Sequence, residues 1–313
     1  MMIPFKLMPH YKDYVWGGKK LRPDAPVTAE AWIVFEENTI VDGKYAGLSL
    51  NQLVDMEGET LLGSRVYTQT GKRFPLLIKL LDCEKWLSLQ VHPDNKQAQQ
   101  ISGPDLFGKT EAWYVIEAEE NAQLISGFRP NTTREDIRNT VGSKAILDLV
   151  EYRNVQSGDA IFINPGTIHA LGPGLLIYEV QQNSDITYRV YDWDRPMDGN
   201  RKLHIEESVL VLNPENKEQV ISHDSKTSHP SDKELFSCEY FTLSVLQCIT
   251  NKRVFKSDGT SFSVITALDH PIEINGKDWS FTLSALETLF IPANCTQFSM
   301  ISHNNAKALY TYC

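Results

Sequence analysis

The chain has 313 residues, of which 42% are hydrophobic and 22% charged, a composition typical of a globular protein with a substantial core. Its formal net charge of −10 argues against nucleic acid or an anionic membrane as the main partner. The N-terminal residues lack the basic start and apolar core of a signal peptide, and no stretch approaches the roughly 18 apolar residues of a membrane span. We therefore expect a cytoplasmic protein.

The cysteines support the same expectation. They are odd in number, widely spaced and without a Cys-x-x-Cys pair, at Cys83, Cys238, Cys248, Cys295 and Cys313. This pattern favours free thiols in a reducing compartment and argues against a thiolate metal site.

Short apolar runs bounded by turn residues predict a mainly β protein that two helical segments interrupt. The helices are predicted at 49–63, which begins with Ser and ends with Gly, and at 132–150, which has early acidic residues. In chain order, strands are predicted at 74–83, 87–92, 112–118, 159–166, 175–182, 186–193, 240–248, 262–268, 287–293 and 306–313. Because strands and helices do not alternate regularly, we expect an antiparallel sandwich or barrel rather than a doubly wound parallel sheet.

The segment 213–237 is polar and rich in turn residues, which indicates a linker or a crossing loop. It predicts two domains, a larger one over 1–234 and a smaller β domain over 235–313. The smaller domain has no His-x-His pair, so we expect it to be free of metal.

Four side chains of the larger domain form a candidate metal site. In the strand 87–92, period-two alternation places Gln90 and His92 on one face, just before the turn at Pro93. Glu111 begins a later strand, and His169 follows a Pro-Gly turn. Each residue alone is more often a surface or capped residue than a ligand. Together they suit zinc, iron, manganese, cobalt or nickel.

These residues and their neighbours resemble the type I mannose-6-phosphate isomerase family of the cupin superfamily, in its short bacterial form. LSLQVHPDN (87–95) resembles the family's Q-x-H-P-D segment, and KTE (109–111) its K-P-E segment, with Thr110 where proline is usual. NPGTIHAL (164–171) resembles its second cupin motif. YEVQQNSDITYRV (178–190) is similar to its E-x-x-x-N-S-D-x-x-x-R segment, and VWGG (15–18) with AEAWIV (29–34) to its N-terminal signature.

The resemblance implies two jelly-roll domains of cupin type with a few helical insertions. It also implies one zinc ion per chain, with other divalent first-row metals as alternatives. The ligands that it implies are Gln90, His92, Glu111 and His169. The implied reaction interconverts mannose 6-phosphate and fructose 6-phosphate through a cis-enediol, with a small sugar phosphate as the partner.

The resemblance carries further residues into catalytic or substrate-binding roles. Lys109 lies two residues from Glu111 on the same strand face, so a nearby cation could make it a base; alternatively it pairs with a carboxylate. Arg189 is assigned to the enediolate or the phosphate, since guanidinium binds anions bidentately; the alternative is a pair with Asp185. Asp185 shuttles protons or orients His169 or Arg189.

Two substrate contacts and the phosphate seat stay open at this point. Glu179 is either catalytic or a partner of Lys109, and Ser88 lies on the face of Gln90 and could donate a hydrogen bond. The candidates for the phosphate seat are Arg189, Lys109, Arg195, Ser88 and the main-chain N–H groups of the glycines within 166–174.

Two other functions are compatible with a cupin, because one fold carries many activities. A metal-dependent oxygenase would use two histidines and one carboxylate and leave Gln90 unbound. A non-catalytic, metal-stabilised protein would bind sugar without turnover. Lys109 and Arg189 favour the sugar-phosphate isomerase, and we expect it to act as a monomer.

Overall fold

The computed structural model describes residues 1–196, 201–222, 232–248 and 250–313. The α-helices of these residues are α1 (Leu50–Glu57), α2 (Glu59–Leu62), α3 (Ser64–Thr70), α4 (Asn95–Ile101), α5 (Arg134–Thr140) and α6 (Ile205–Val211), with a 3-10 helix at Lys144–Asp148. The first strands are β1 (His10–Lys12), β2 (Glu30–Val34), β3 (Leu76–Cys83), β4 (Leu89–Val91), β5 (Glu111–Ala118), β6 (Gln123–Phe128), β7 (Val150–Asn154), β8 (Ala160–Ile163), β9 (His169–Leu171), β10 (Leu175–Gln182) and β11 (Tyr188–Tyr191). The later strands are β12 (Gln219–Ile221), β13 (Lys233–Ser237), β14 (Thr242–Cys248), β15 (Arg253–Lys256), β16 (Ser263–Ala267), β17 (Ile272–Asn275), β18 (Ser280–Leu283), β19 (Thr288–Ile291), β20 (Gln297–Ile301) and β21 (Ala306–Tyr312).

The strands form four sheets. Their orders are β1-β2-β3-β10-β5-β8-β12, β11-β4-β9-β6-β7, β13-β14-β21-β16-β19 and β15-β20-β17-β18. The predicted mainly β architecture with antiparallel sheets and a few helices is confirmed. In the described ranges all four sheets are open, so the architecture is that of packed sheets rather than closed barrels.

Strand β10 lies near the centre of the seven-stranded sheet, and the prediction for 175–182 matches it residue for residue. All eight of its residues are buried, including the polar Glu179, Gln181 and Gln182, because both faces of this central strand are covered. Ile177 of this strand packs in a core cluster with Leu81, Trp113 and Val115. A second core cluster contains Leu89 and Val91 of β4, which belongs to the sheet β11-β4-β9-β6-β7.

Both predicted helices are broken by glycine. The segment 49–63 contains α1 and α2, separated by Gly58 at φ 47°. The segment 132–150 contains α5 and the 3-10 helix, separated at Gly142 with φ 80°. Glycine adopts positive φ without the steric cost that other residues bear, so the helix ends at or just before each glycine. The apolar periodicity of the sequence continues past that point, which is why each predicted helix was too long.

The expectation of a linker or crossing loop over 213–237 is wrong at 219–221 and at 233–237. Strand β12 lies in this segment and pairs with β8, and β13 pairs with β14. Polar side chains are compatible with these strands because β12 is an edge strand with partly exposed residues. Residues 223–231 of the predicted linker lie outside the described part of the chain.

The chain divides into two compact units. One comprises Tyr11–Ala31 and Lys79–His223, and the other comprises Met1–His10, Trp32–Ile78 and Asp224–Cys313. The division into 1–234 and 235–313 stays a prediction, and these units cut the chain differently.

Hydrogen bonds explain why early residues join the unit that holds the C-terminal strands. Phe5 and Phe290 exchange main-chain hydrogen bonds of 3.0 and 3.1 Å. Arg65 N–H donates to the carbonyl oxygen of Thr260 at 3.1 Å. The ring of Phe262 stacks on that of Phe290 at 5.1 Å between centroids and lies 5.2 Å from that of Phe74.

All five cysteines are free thiols, as predicted. Cys238 is half-buried and the other four are buried. Burial raises the pKa of Cys295 to about 11 and that of Cys248 to about 12. No helix of the described residues is long and apolar enough to cross a membrane.

We predict that Phe262→Ala lowers the free energy of unfolding by about 3–5 kcal/mol, because the truncation leaves a cavity beside two aromatic rings. Val254→Ala is the control, since Val254 is 52% exposed on β15 and should change stability by less than about 0.5 kcal/mol. Urea denaturation followed by circular dichroism measures both. Equal midpoints for the two variants would contradict the prediction.

Candidate active site and metal centre

Strand pairing brings the polar faces of β4, β9 and β11 together. Gln90 of β4 is opposite His169 of β9 and also opposite Arg189 of β11. Leu89 and Val91 point into the core, so the period of two turns Gln90 to the other face. The predicted alternation in LSLQVH therefore has the expected consequence for side-chain direction.

The imidazoles of His92 and His169 are oriented by main-chain carbonyl groups. His92 Nδ1 lies 2.8 Å from the oxygen of Ile186, and His169 Nδ1 lies 2.9 Å from the oxygen of Thr167. A carbonyl oxygen only accepts, so Nδ1 carries the proton in each ring and Nε2 keeps its lone pair. Burial lowers the pKa of His169 to about 3 and, together with Lys109, depresses that of His92.

Glu111 joins the two histidines from the seven-stranded sheet. It begins β5, pairs with Gln181 and Ile163, and has no exposed surface. Its Oε1 lies 3.2 Å from His169 Nε2, and its Oε2 lies 3.6 Å from His92 Nε2. Burial raises the pKa of Glu111 to about 7, although the ammonium of Lys109 opposes the rise.

A tight turn holds the two histidines at this distance. Thr167 N–H donates to the oxygen of Asn164 at 3.1 Å across Pro165 and Gly166, and Gly166 has φ 85°. These are the features of a type II turn, which requires positive φ at its third residue. Gly166 N–H also donates to the carbonyl oxygen of His92 at 2.8 Å.

The cluster fits a divalent metal ion. One ligand atom from each of His92, Glu111 and His169 lies within 4.8 Å of the others, and all three residues are buried. Among the described residues, Glu111 Oε1 has no hydrogen-bond donor, although buried carboxylate oxygens are normally paired. Two imidazole lone pairs and a carboxylate without a thiolate suit a first-row divalent cation.

Gln90 and Ser88 border the cluster. The amide Nε2 of Gln90 lies 3.2 Å from His169 Nε2, and Ser88 Oγ lies 3.4 Å from Gln90 Oε1. Amide orientation is assigned from such contacts, and rotation of the amide would present Oε1 to a cation. The geometry thus places both predicted residues beside the three-residue cluster.

Lys109 is buried against the cluster. Its Nζ lies 2.7 Å from Glu111 Oε2, 3.0 Å from His92 Nε2 and 3.7 Å from Glu179 Oε1. Lys109 therefore pairs with carboxylates and also borders the candidate metal site, so the structure is compatible with both alternatives, a base beside a cation and a partner of a carboxylate. Glu179 is likewise a partner of Lys109.

Sequence reasoning missed two further charged groups beside Glu179, namely Lys79 and Glu30. With Lys109 and Glu111 these residues form a row of buried charges, here called the charged row. Lys79 Nζ lies 3.5 Å from Glu179 Oε1 and 3.7 Å from Glu30 Oε2, and all three residues are buried. Burial alone would lower the pKa of Lys79, but the two carboxylates raise it above its usual value. The available signal was a lysine inside the apolar run of β3, which a buried strand tolerates only when the charge is paired.

Arg189 and Asp185 lie near these groups. Arg189 is half-buried and its Nη1 donates to the carbonyl oxygen of Lys202 at 3.2 Å. Asp185 is exposed. The expected orientation of His169 by Asp185 is not found, since Thr167 orients that ring. The neighbouring Ile186 orients His92 instead, through its main chain.

Two candidates for the phosphate seat already have partners within the chain. Arg195 is engaged by Asp192 at 3.2 Å and by the carbonyl oxygen of Trp86, and Asp192 also binds Arg201. The N–H groups of Gly166, Gly172 and Gly174 donate to main-chain oxygens at 2.8, 3.0 and 2.8 Å. These donors are already used, so an anion would have to displace them.

Tyr14 was also missed by sequence reasoning. Its side chain is 38% exposed. Burial raises the pKa of its phenol to about 12, and the carboxylates of Glu30 and Asp185 add to the rise. Tyr14 therefore lies in the field of the same charged groups.

A sequence profile described as "Phosphomannose isomerase type I, catalytic domain" matches residues 4–125. The chain is 38% identical over 224 residues to a mannose-6-phosphate isomerase from Streptococcus mutans, which covers 68% of each chain. The chain belongs to the type I phosphomannose isomerase family.

A further relative and a solved structure are also similar to this chain. A probable mannose-6-phosphate isomerase from Bacillus subtilis is 38% identical over 251 residues, or 76% of this chain and 75% of the relative. A crystal structure of the mannose 6-phosphate isomerase from Bacillus subtilis superposes with a TM-score of 0.86 at 27% identity and covers 100% of both chains.

We predict that Lys79→Met lowers the free energy of unfolding by about 3–5 kcal/mol, because it leaves the buried carboxylates of Glu30 and Glu179 without this counter-charge. Lys20→Met is the matched control, since Lys20 pairs with the exposed Glu117 at 3.1 Å and should cost about 0–1 kcal/mol. Guanidinium chloride denaturation of both variants provides the comparison. A Lys79→Met variant as stable as Lys20→Met would refute this account of the row.

Proposed function

We propose that this protein is a metal-dependent aldose–ketose isomerase that interconverts mannose 6-phosphate and fructose 6-phosphate through a cis-enediol. The observation that carries the proposal is the buried His92–Glu111–His169 cluster with Lys109 Nζ 2.7 Å from Glu111 Oε2. Membership of the type I phosphomannose isomerase family supports it. The relatives that align with this chain over more than two thirds of their length are named for this activity.

We assign Gln90, His92, Glu111 and His169 as ligands of one zinc ion per chain, with other first-row divalent metals as substitutes. Imidazole and oxygen donors are consistent with zinc and do not select it over those metals. A bound ion would supply positive charge next to the carbonyl and enediolate oxygens of the sugar.

The protein's own groups move the proton. In the proposed mechanism, Lys109 Nζ takes the proton from C2 and returns it to C1, which is general base and then general acid catalysis. Glu179, 3.7 Å from Lys109 Nζ, holds that ammonium in place while it carries the proton. Exposed Asp185 exchanges protons with the hydroxyl groups at O1 and O2.

Arg189 is our assignment for the substrate anion. Its guanidinium can bind a phosphate or enediolate bidentately, and β11 places it opposite Gln90. Ser88 Oγ and Glu179 contribute hydrogen bonds to sugar hydroxyl groups. The engagement of Arg195 by Asp192 makes Arg189 the stronger candidate for the phosphate.

The oxygenase alternative uses the same two histidines and carboxylate, but it gives no role to a buried lysine beside them. We further propose that the protein works in the cytoplasm as a monomer, without nucleic acid or membrane partners. Its free thiols and formal net charge of −10 are consistent with that setting.

We predict that Lys109→Met lowers kcat for mannose 6-phosphate by about 10²–10⁴-fold while zinc stays bound, because the proton carrier is removed. His169→Ala should lose both zinc and turnover, and Lys20→Met should match the wild type. Coupled assay of fructose 6-phosphate formation and metal analysis of the same samples give both readouts.

Two results would contradict these assignments. Turnover by zinc-loaded Lys109→Met at the wild-type rate would remove Lys109 as the base. A fully metal-loaded wild type without turnover would refute the isomerase, and sugar binding by that sample would favour the non-catalytic alternative.

A further inference from the structure

The main chain at Thr110 has a hydrogen-bonding group that the resembling family segment lacks. The K-P-E pattern has proline at this position, and proline has no N–H. In this chain Thr110 N–H donates to Oε1 of Gln182 at 3.0 Å, and Gln182 N–H donates to the carbonyl oxygen of Thr110 at 3.2 Å. Gln182 therefore binds both main-chain polar groups of Thr110.

The amide of Gln182 also reaches the segment that follows His92. Its Nε2 donates to Asn95 Oδ1 at 3.0 Å, and the same oxygen accepts from Gly108 N–H at 2.7 Å. Gln182 is 3% exposed, so water does not replace these bonds readily. The two amide side chains connect three segments: residues 92–95, residues 108–111 and the end of β10.

Close packing reinforces the connection. Lys109 N–H donates to the carbonyl oxygen of Pro93 at 2.9 Å. A Cβ added at Gly108 would lie 2.4 Å from the carbonyl carbon of Asp94, which is closer than any real contact. The segment 108–111 is thus held against the chain that carries His92.

We propose that Gln182, together with Asn95, is a positioning residue that fixes Lys109 and Glu111 relative to His92. Thr110 stands between Lys109 and Glu111, whose side chains meet at 2.7 Å between Nζ and Oε2. A main chain fixed at Thr110 therefore fixes both side chains at once. The proposal rests on the metal and catalytic roles proposed above for these residues.

The test uses Thr110→Pro, Gln182→Leu and the double variant, with Thr110→Ala as the matched control. Compared with Thr110→Ala, Thr110→Pro additionally removes the N–H and fixes φ of residue 110. Thr110→Ala removes the side chain and keeps the N–H. Zinc affinity is measured by competition with a chromophoric chelator, and kcat and KM by the coupled assay.

We expect Thr110→Pro and Gln182→Leu each to lower zinc affinity and kcat by about 10–100-fold, the usual effect of losing an outer partner of a metal site. KM should change little, and Thr110→Ala should match the wild type. The double variant should be no worse than the poorer single variant, because both changes remove the same hydrogen bond.

Several results would overturn the proposal. If Gln182→Leu and Thr110→Pro have the zinc affinity and kcat of Thr110→Ala, the proposal fails even if their melting temperatures fall, because the role of Gln182 would then be only structural. Additive losses in the double variant would also overturn the proposal. If the wild type binds zinc without turnover, the isomerase proposal fails, while the zinc affinities of the same variants still decide the role of Gln182.

Discussion

The burial of charged groups is the constraint on which this site depends. Glu30, Glu111 and Glu179 are removed from water together with Lys79 and Lys109. Isolated charges are very costly in such surroundings, so each must lie close to a counter-charge. Three carboxylates against two ammonium groups leave one excess negative charge. A divalent cation would change the sign of this excess. Burial is the main cause of the raised pKa of Glu111, and the carboxylate of Glu179 adds to the rise.

The chain assembles this charge row from distant segments by strand pairing. Neighbouring strands β2, β3 and β10 carry Glu30, Lys79 and Glu179 across one sheet, and β5 adds Glu111. The other sheet contributes Gln90 and His169 as a pair, and the turn at Gly166 binds the main chain at His92. The candidate ligands are therefore held by hydrogen bonds of the scaffold, which leaves their side-chain lone pairs directed into the site.

Sequence patterns predicted the strands better than the helices. The strand 175–182 was placed correctly, whereas periodicity extended two helices through Gly58 and Gly142 because it ignores φ. Helix α4 was missed, since only a turn was predicted after His92, although Asp94 caps a short polar helix there.

The charged row was harder to predict than the candidate metal site. Motif spacing singled out Gln90, His92, Glu111 and His169, but it contains no information on which main-chain carbonyl orients each ring. Lys79 was assigned to a strand and its charge was overlooked. Arg195 was taken as a phosphate candidate because the pairing with Asp192, three residues earlier, depends on loop geometry that spacing does not reveal.

The buried thiols make the protein its own set of conformational probes. Cys83 belongs to one compact unit, and Cys248, Cys295 and Cys313 belong to the other. Thiolate is the form that reacts with alkylating reagents, and burial disfavours it at all four positions. Alkylation must therefore wait for local or global opening. The labelling rate at each cysteine reports the opening free energy of its own unit, in the native sequence and without an engineered reporter.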